Sequence, residues 1–310
     1  MEACYLEAHR KGILQQRVDK ALEILESCRL CPRQCEVNRL QGETGVCRAG
    51  RQAIVSSYSP HFGEEDPLVG RSGSGTIFMT HCNLCCVFCQ NYEISHLSEG
   101  AQVGSGDLAE MMLALQQRGC HNINFVTPTH MVPQILEALP GAIEGGLRVP
   151  LVYNCGGYEE VSILQLLDGI VDIYMPDFKF WDSEMSARFC SAPDYPEKAR
   201  AAVTEMHRQV GDLLLNQEGI ALRGLLIRHL VMPNGLAGTR EIMRFLATEL
   251  SGDTYVNVMS QYRPCGEAHR HPELRRSVTP EEYREAVKMA QEEGIHRLDE
   301  RRLVRLFQWL

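Results

Sequence analysis

Apolar residues fall at helical spacing from the start of the chain: Leu6, Ile13, Leu14, Val18, Leu22 and Leu25 share one face, and the pattern predicts a helix over residues 2–27. The period then changes. A short apolar run at 53–57 reads as a strand, and from there strands and helices alternate. Strands are predicted at 75–80, 122–127, 149–153, 170–175, 225–231 and 254–259. Helices are predicted between them at 107–118, 132–142, 159–167 and 240–250, with one longer helical region over 183–216 and a closing helix after Pro280. Such alternation feeds a parallel sheet, and six units with right-handed crossovers point to an α/β fold, an open (β/α)6 partial barrel. Gly70, Gly73 and Gly75 precede a strand instead of following one, so they read as a turn and not as a dinucleotide-binding fingerprint.

The segment between the first helix and this core differs in kind. It is rich in turn residues, poor in large apolar ones, and places Cys28, Cys31, Cys35 and Cys47 with two, three and eleven residues between them. So short a piece buries too little to fold by itself, and four thiols in it point to a bound metal. Closed four-thiolate coordination suits structural zinc, and three close ligands with a remote fourth suit an auxiliary [4Fe-4S] cluster; both stay open. Two units follow: an N-terminal helix with a small metal-binding module over 1–60, and the α/β core with its C-terminal helix over 61–310.

Charge narrows the partners. The net charge of −9 lacks the excess of Lys and Arg that a general nucleic-acid or anionic-membrane binder needs. Arg270, Arg275 and Arg276, like Arg301, Arg302 and Arg305, read as solvated faces. Charged residues throughout 2–17 leave no apolar core for a signal peptide, and no stretch reaches the length of a membrane span. Thirteen cysteines clustered at metal-like spacings then argue for a reducing cytoplasm, not for disulfides.

The chemistry concentrates just after the strand at 75–80, where Cys82, Cys86 and Cys89 stand at a C-x3-C-x2-C spacing. Three thiolates on one loop can hold three irons of a cubane cluster and leave the fourth without a protein ligand. An open iron can chelate the amino and carboxylate groups of S-adenosylmethionine (SAM) and pass an electron into its sulfonium, giving methionine and a 5′-deoxyadenosyl radical. Zinc completed by His81 is the alternative, although zinc is more usually held by two separated pairs.

With Phe88 before the last cysteine, the loop resembles the signature of the radical SAM superfamily, and residues 75–299 are similar to the pyruvate formate-lyase activating enzyme family. That resemblance implies the radical SAM partial barrel, a [4Fe-4S] cluster at Cys82, Cys86 and Cys89, and SAM bound at the C-terminal strand ends, with Cys85 a bystander. Thr127-Pro128-Thr129-His130 stands where the superfamily has a Gly-Gly-Glu type segment for the SAM amino group. The Thr127 and Thr129 hydroxyls and local carbonyls are the acceptors on offer there, and His130 reads as structural. Asn154-Cys155-Gly156-Gly157 is similar to the family's Asp/Asn-Thr-Asn-Gly turn, and Asp177-Phe178-Lys179 to its Asp-x-Lys motif. The resemblance assigns Lys179 and Arg228 to the methionine carboxylate, and Asn154 and Asp177 to the ribose or a cation. Gln261 and Tyr262 occupy the position of a family histidine.

Three functions fit this reading. One is an activating enzyme that takes hydrogen from a glycine Cα of a glycyl-radical enzyme. Another is radical SAM modification of a different peptide or small molecule. The third is a non-catalytic iron–sulfur or zinc protein that binds a partner. The first two imply an electron donor such as flavodoxin or ferredoxin.

Overall fold

The computed structural model describes residues 1–299, so Arg301, Arg302 and Arg305 lie outside the described residues. The helix predicted over 2–27 is broken in two, Cys4–Arg10 and Ile13–Glu23. Gly12 sits between them at φ 71°, and the N–H groups of Lys11 and Gly12 turn back onto the carbonyls of Glu7 and His9. A glycine after the last helical turn stops a helix in this way, because it takes the left-handed conformation without a Cβ penalty. The first helix has no side-chain cap of its own. Asp172 supplies one from far along the chain, accepting from Cys4 N at 2.8 Å with Oδ1 and from Leu151 N at 2.9 Å with Oδ2.

The strands are β1 (Ala53–His61), β2 (Ser74–Met79), β3 (Ala101–Val103), β4 (Ile123–Val126), β5 (Leu151–Cys155), β6 (Ile173–Pro176), β7 (Leu214–Leu215), β8 (Ala221–Leu230), β9 (Tyr255–Met259) and β10 (Arg297–Leu298). The six expected strands are β2, β4, β5, β6, β8 and β9; they lie side by side in chain order, each parallel to the next. The short strand expected at 53–57 is longer, pairs antiparallel with β2, and carries antiparallel β3 on its outer edge. The molecule is thus a mixed α/β protein with one central sheet. Among the described residues no helix is long and apolar enough to cross a membrane.

Helices Ser105–Gln117, Val132–Glu144, Val161–Leu166 and Thr239–Phe245 occupy the expected connections, and Pro280–Glu292 follows β9. The region over 183–216 is not one helix. Ser183–Cys190 ends at Ser191, held at φ 52°, Tyr195–Val210 follows, and the chain then turns into β7.

Side chains alternate across a strand, so the two faces of the sheet can be read separately. On one face Ile77, Phe125, Leu151, Tyr153, Tyr174, Leu225, Ile227 and Val256 join the helices in the main core. On the other, Val152, Ile173, Met175 and Leu226 meet Leu68, from the connection before β2, in a smaller apolar cluster. The same face also carries the polar residues Thr76, Asn124, Asn154, Arg228 and Asn257. This face carries the candidate site.

Candidate metal and cofactor site

The loop after β2 is tied down on several sides. Thr80 N donates to Ile54 O, Cys85 N and Val87 N to the carbonyls of Cys190 and Phe189, and Glu267 N to Val87 O. Phe88 is buried edge-on against Phe180 and Tyr262, with ring centroids 5.9 and 6.2 Å away. Its packing fixes the stretch between Cys86 and Cys89, which gives the aromatic at that position a physical role.

The sulfurs are already met by donors. Leu84 N–H points at Cys82 Sγ over 3.3 Å, and the Ser95 hydroxyl at Cys89 Sγ over 3.1 Å. Cys86 Sγ lies 3.2 Å from Cys190 Sγ, on the helix Ser183–Cys190. Burial pushes the Cys82 and Cys89 thiols up; contact with Cys190, then burial, does so for Cys86, while the Lys179 ammonium acts in the opposite sense on all three. A bound cation would release these protons, since the thiolate is the form that ligates. One buried and two half-buried thiols, with N–H and O–H donors on the latter two, fit a metal–sulfur group. Among the described residues no three His, Cys, Asp or Glu side chains stand at the spacing of one shared ion, so a metal would draw the side chains in. His81 and Cys85 are beside the loop but in no such group.

Four of the expected SAM-pocket residues converge. Arg228 Nε donates to Asp177 Oδ1 at 2.8 Å and its Nη2 to Asn154 Oδ1 at 2.7 Å, while Nη1 faces Glu64 at 3.6 Å. Lys179 Nζ donates to Asp177 Oδ2 at 2.5 Å. Burial alone would raise Asp177, but Arg228 and Lys179 together hold its carboxyl below the usual range. The guanidinium is therefore engaged with protein acceptors on every side. Among the described residues the ammonium has one such partner, Asp177, and its charge acts on all three thiols of the cysteine loop. Asn124, buried on the same face, has neither amide atom hydrogen-bonded among the described residues, so this part of the face holds an unmet polar group.

The turn after β5 needs its glycines. Gly157 has φ 77°, and a Cβ there would meet Asp177 O at 2.3 Å. Tyr195, unremarkable in the sequence, closes the turn: its hydroxyl accepts from Lys179 N at 2.9 Å and lies 3.0 Å from the carbonyls of Gly156 and Asp177.

Thr127 and Thr129 part company with this group. Thr127, at φ 58°, donates its N–H to Asn154 O at 2.8 Å. The Thr129 hydroxyl is 2.6 Å from Glu159 Oε1, whose other oxygen accepts from Tyr153 OH at 2.9 Å, so Thr129 is committed to a buried network. Burial raises Glu159 to about 7 against those hydrogen bonds. His130 Nε2 pairs with Thr80 O at 2.8 Å, and burial lowers the ring to about 3, a neutral structural histidine. Tyr262 bonds Leu274 O at 2.8 Å and packs on Phe88, while Gln261 accepts through its carbonyl from Gln90 at 3.1 Å. Glu64, Cys190, Glu159 and Tyr195 were not legible as site residues, because nothing in their local sequence marks them.

The N-terminal thiols gather separately. Cys28, Cys31, Cys35 and Cys47 line one small cavity with Arg39 and His130. None of the chain's thirteen cysteines is in a disulfide.

Fold and site together define an α/β protein with a thiol-bearing loop and a buried ionic group on one face of a parallel sheet. The chain is 34% identical over 295 residues to the uncharacterized protein MJ0674 of Methanocaldococcus jannaschii, covering 92% of this chain and 80% of that protein, and it belongs to the same family. No protein-family model matches. Among solved structures it is similar to TYW1 with a lysine-pyruvate adduct bound, at 12% identity and a TM-score of 0.42 over 70% of this chain and 73% of that one. It is also similar to OxsB, a cobalamin-dependent S-adenosylmethionine radical enzyme with aqua-cobalamin bound, at 13% identity and a TM-score of 0.40 over 71% of this chain and 31% of OxsB.

Proposed function

We propose that the chain is a radical SAM enzyme of the cytoplasm, with Cys82, Cys86 and Cys89 holding a [4Fe-4S] cluster and the parallel strands forming an open (β/α)6 partial barrel around SAM. So held, the cluster would supply one electron to the SAM sulfonium and release methionine and a 5′-deoxyadenosyl radical. The observation that carries this reading is Lys179: its ammonium stands within electrostatic reach of all three thiols and, among the described residues, is paired to Asp177 alone. A cation so placed is suited to the methionine carboxylate. Asp177 and Asn154 would meet the ribose hydroxyls. Arg228 serves by keeping both of them in place, and would bind a carboxylate only by giving up Asn154 or Glu64. Thr127 offers its carbonyl to the SAM amino group, and Thr129 contributes by fixing Glu159.

The Asp177–Lys179 pair and the Asn154 turn support the activating type, in which a glycine Cα of a partner enzyme, or another peptide, loses hydrogen and flavodoxin or ferredoxin supplies the electron. The test is anaerobic reconstitution with iron and sulfide, reduction, and chromatographic detection of 5′-deoxyadenosine. Wild type should form it, and Cys82→Ala, Cys86→Ala and Cys89→Ala should not. A fully loaded wild-type cluster that leaves SAM intact would end the proposal.

A further inference from the structure

Residues 27–52 contain no strand and only one short helical turn, Arg39–Gln41. The segment is organised around its cysteines instead. Cys28 N donates to Val37 O, Glu36 N to Cys28 O and Gln34 N to Cys31 O, folding the chain so that the four cysteines line a single small cavity. Gly45 lies so close to Cys35 that a Cβ would meet its sulfur at 2.6 Å. Gln34, Glu36 and Arg48, beside Cys35 and Cys47, are all held in the left-handed region at φ 40°, 56° and 54°. Non-glycine residues stay there only where their surroundings over-determine them.

Two features of this cavity call for negative charge on the sulfurs. Peptide N–H groups are aimed at them: Val46 N reaches Cys35 Sγ at 3.5 Å, and the N–H groups of Arg33 and Ala49 point at Cys31 and Cys47. A thiol accepts such bonds weakly and a thiolate strongly. The second feature is Arg39, which is fully buried and donates to the carbonyls of Gly50 at 3.0 and 2.7 Å and His130 at 2.9 Å, and from Nη1 toward Cys28 Sγ at 4.0 Å. Among the described residues no carboxylate pairs with it. A buried cation without an anion is costly. Four thiolates around a divalent ion or a cubane would provide the anion.

We propose that Cys28, Cys31, Cys35 and Cys47 bind a thiolate-ligated metal centre of their own, separate from Cys82, Cys86 and Cys89, and that Arg39 balances its charge. The centre also places Arg33, on the loop between Cys31 and Cys35. Its Nε donates to Asn83 O at 2.9 Å, its Nη2 to Cys190 O at 3.2 Å, and its guanidinium lies over the Tyr158 ring at 5.2 Å. A metal-held N-terminal loop therefore clamps the residue that follows Cys82. Four protein ligands leave this centre no open position, so it does not take SAM.

The existence of the centre does not depend on SAM chemistry and is tested without it. The full chain carrying Cys82→Ala, Cys86→Ala and Cys89→Ala is supplied anaerobically with iron and sulfide, or separately with zinc, and its metal measured. About four irons per folded chain identifies a cubane and about one zinc a structural ion; both support the centre. Adding Cys35→Ser and Cys47→Ser should remove that metal. A soluble, folded triple variant that takes up neither metal overturns the proposal, as does metal that survives loss of Cys35 and Cys47. Should the triple variant fail to fold, X-ray absorption on the intact loaded chain decides. Zinc with four sulfur neighbours, or about eight irons per chain, supports the second centre, and about four irons without zinc overturns it.

Discussion

Arg228 and Asp177 are 51 residues apart in the chain, yet Arg228 Nε donates to Asp177 Oδ1 at 2.8 Å across the neighbouring ends of β6 and β8. Removing Arg228 would leave buried Asp177 with Lys179 as its remaining cation and take away the donor that Asn154 Oδ1 accepts from, a loss of about 3 kcal/mol by the measure of broken buried pairs. Arg228→Ala should therefore lower unfolding stability by roughly that amount in urea titrations at neutral pH. Because Asp177 is depressed, the pair's contribution is present above the ordinary carboxylate range and is lost on acidification. Stability within experimental error of wild type would show that Arg228 does not buttress Asp177.

Lys179 should act on ligand affinity more than on stability. Its charge acts on all three thiols of the cysteine loop, and losing one charge-assisted bond to a carboxylate should weaken SAM binding by about 1.5 to 3 kcal/mol in Lys179→Ala. Equilibrium binding to anaerobically reconstituted protein measures this. Unchanged affinity would take Lys179 out of the pocket.

The 3.2 Å contact between Cys86 and Cys190 makes the ligand set testable. Cys190→Ala and Cys85→Ala should keep both cluster iron and SAM cleavage, because neither belongs to the C-x3-C-x2-C spacing. The reverse result, with Cys190→Ala inactive and Cys86→Ala active, would move the third ligand to Cys190.

Glu159 predicts a pH dependence. Its folded value is raised from the ordinary 4.5 to about 7, so the folded protein binds the proton more tightly than the unfolded chain does. That stabilisation is complete below about 4.5, falls as pH rises, and is gone above about 7. Glu159→Gln should remove this slope, and the difference between the two stability curves should reach about 3 kcal/mol, at roughly 1.4 kcal/mol for each pH unit. Parallel curves for wild type and variant from pH 4.5 to 7 would show that Glu159 does not titrate there.

What the sequence alone determined is what depends on near neighbours. The six parallel strands were legible because apolar runs buried on both faces alternate with amphipathic helices, and both patterns survive any change of partner. The spacing of Cys82, Cys86 and Cys89 was legible for the same reason, since it is a local property of the chain. Local reading also had local failures: helical periodicity runs unbroken through Lys11 and Gly12, and only the backbone conformation of Gly12 ends the helix there.

Tertiary structure decided everything that depends on strand register. Asn154, Asp177, Lys179 and Arg228 could be placed at strand ends from the chain, but which of them touch follows from β5, β6 and β8 lying side by side in one alignment. That alignment surrounds Arg228 with acceptors and leaves Lys179 the freer cation. It also commits Thr129 to Glu159, brings Cys190 onto Cys86, and sends Asp172 to cap a helix from 168 residues away. None of these contacts has a sequence signature, because each is set by where the backbone returns in space and not by what stands beside it in the chain.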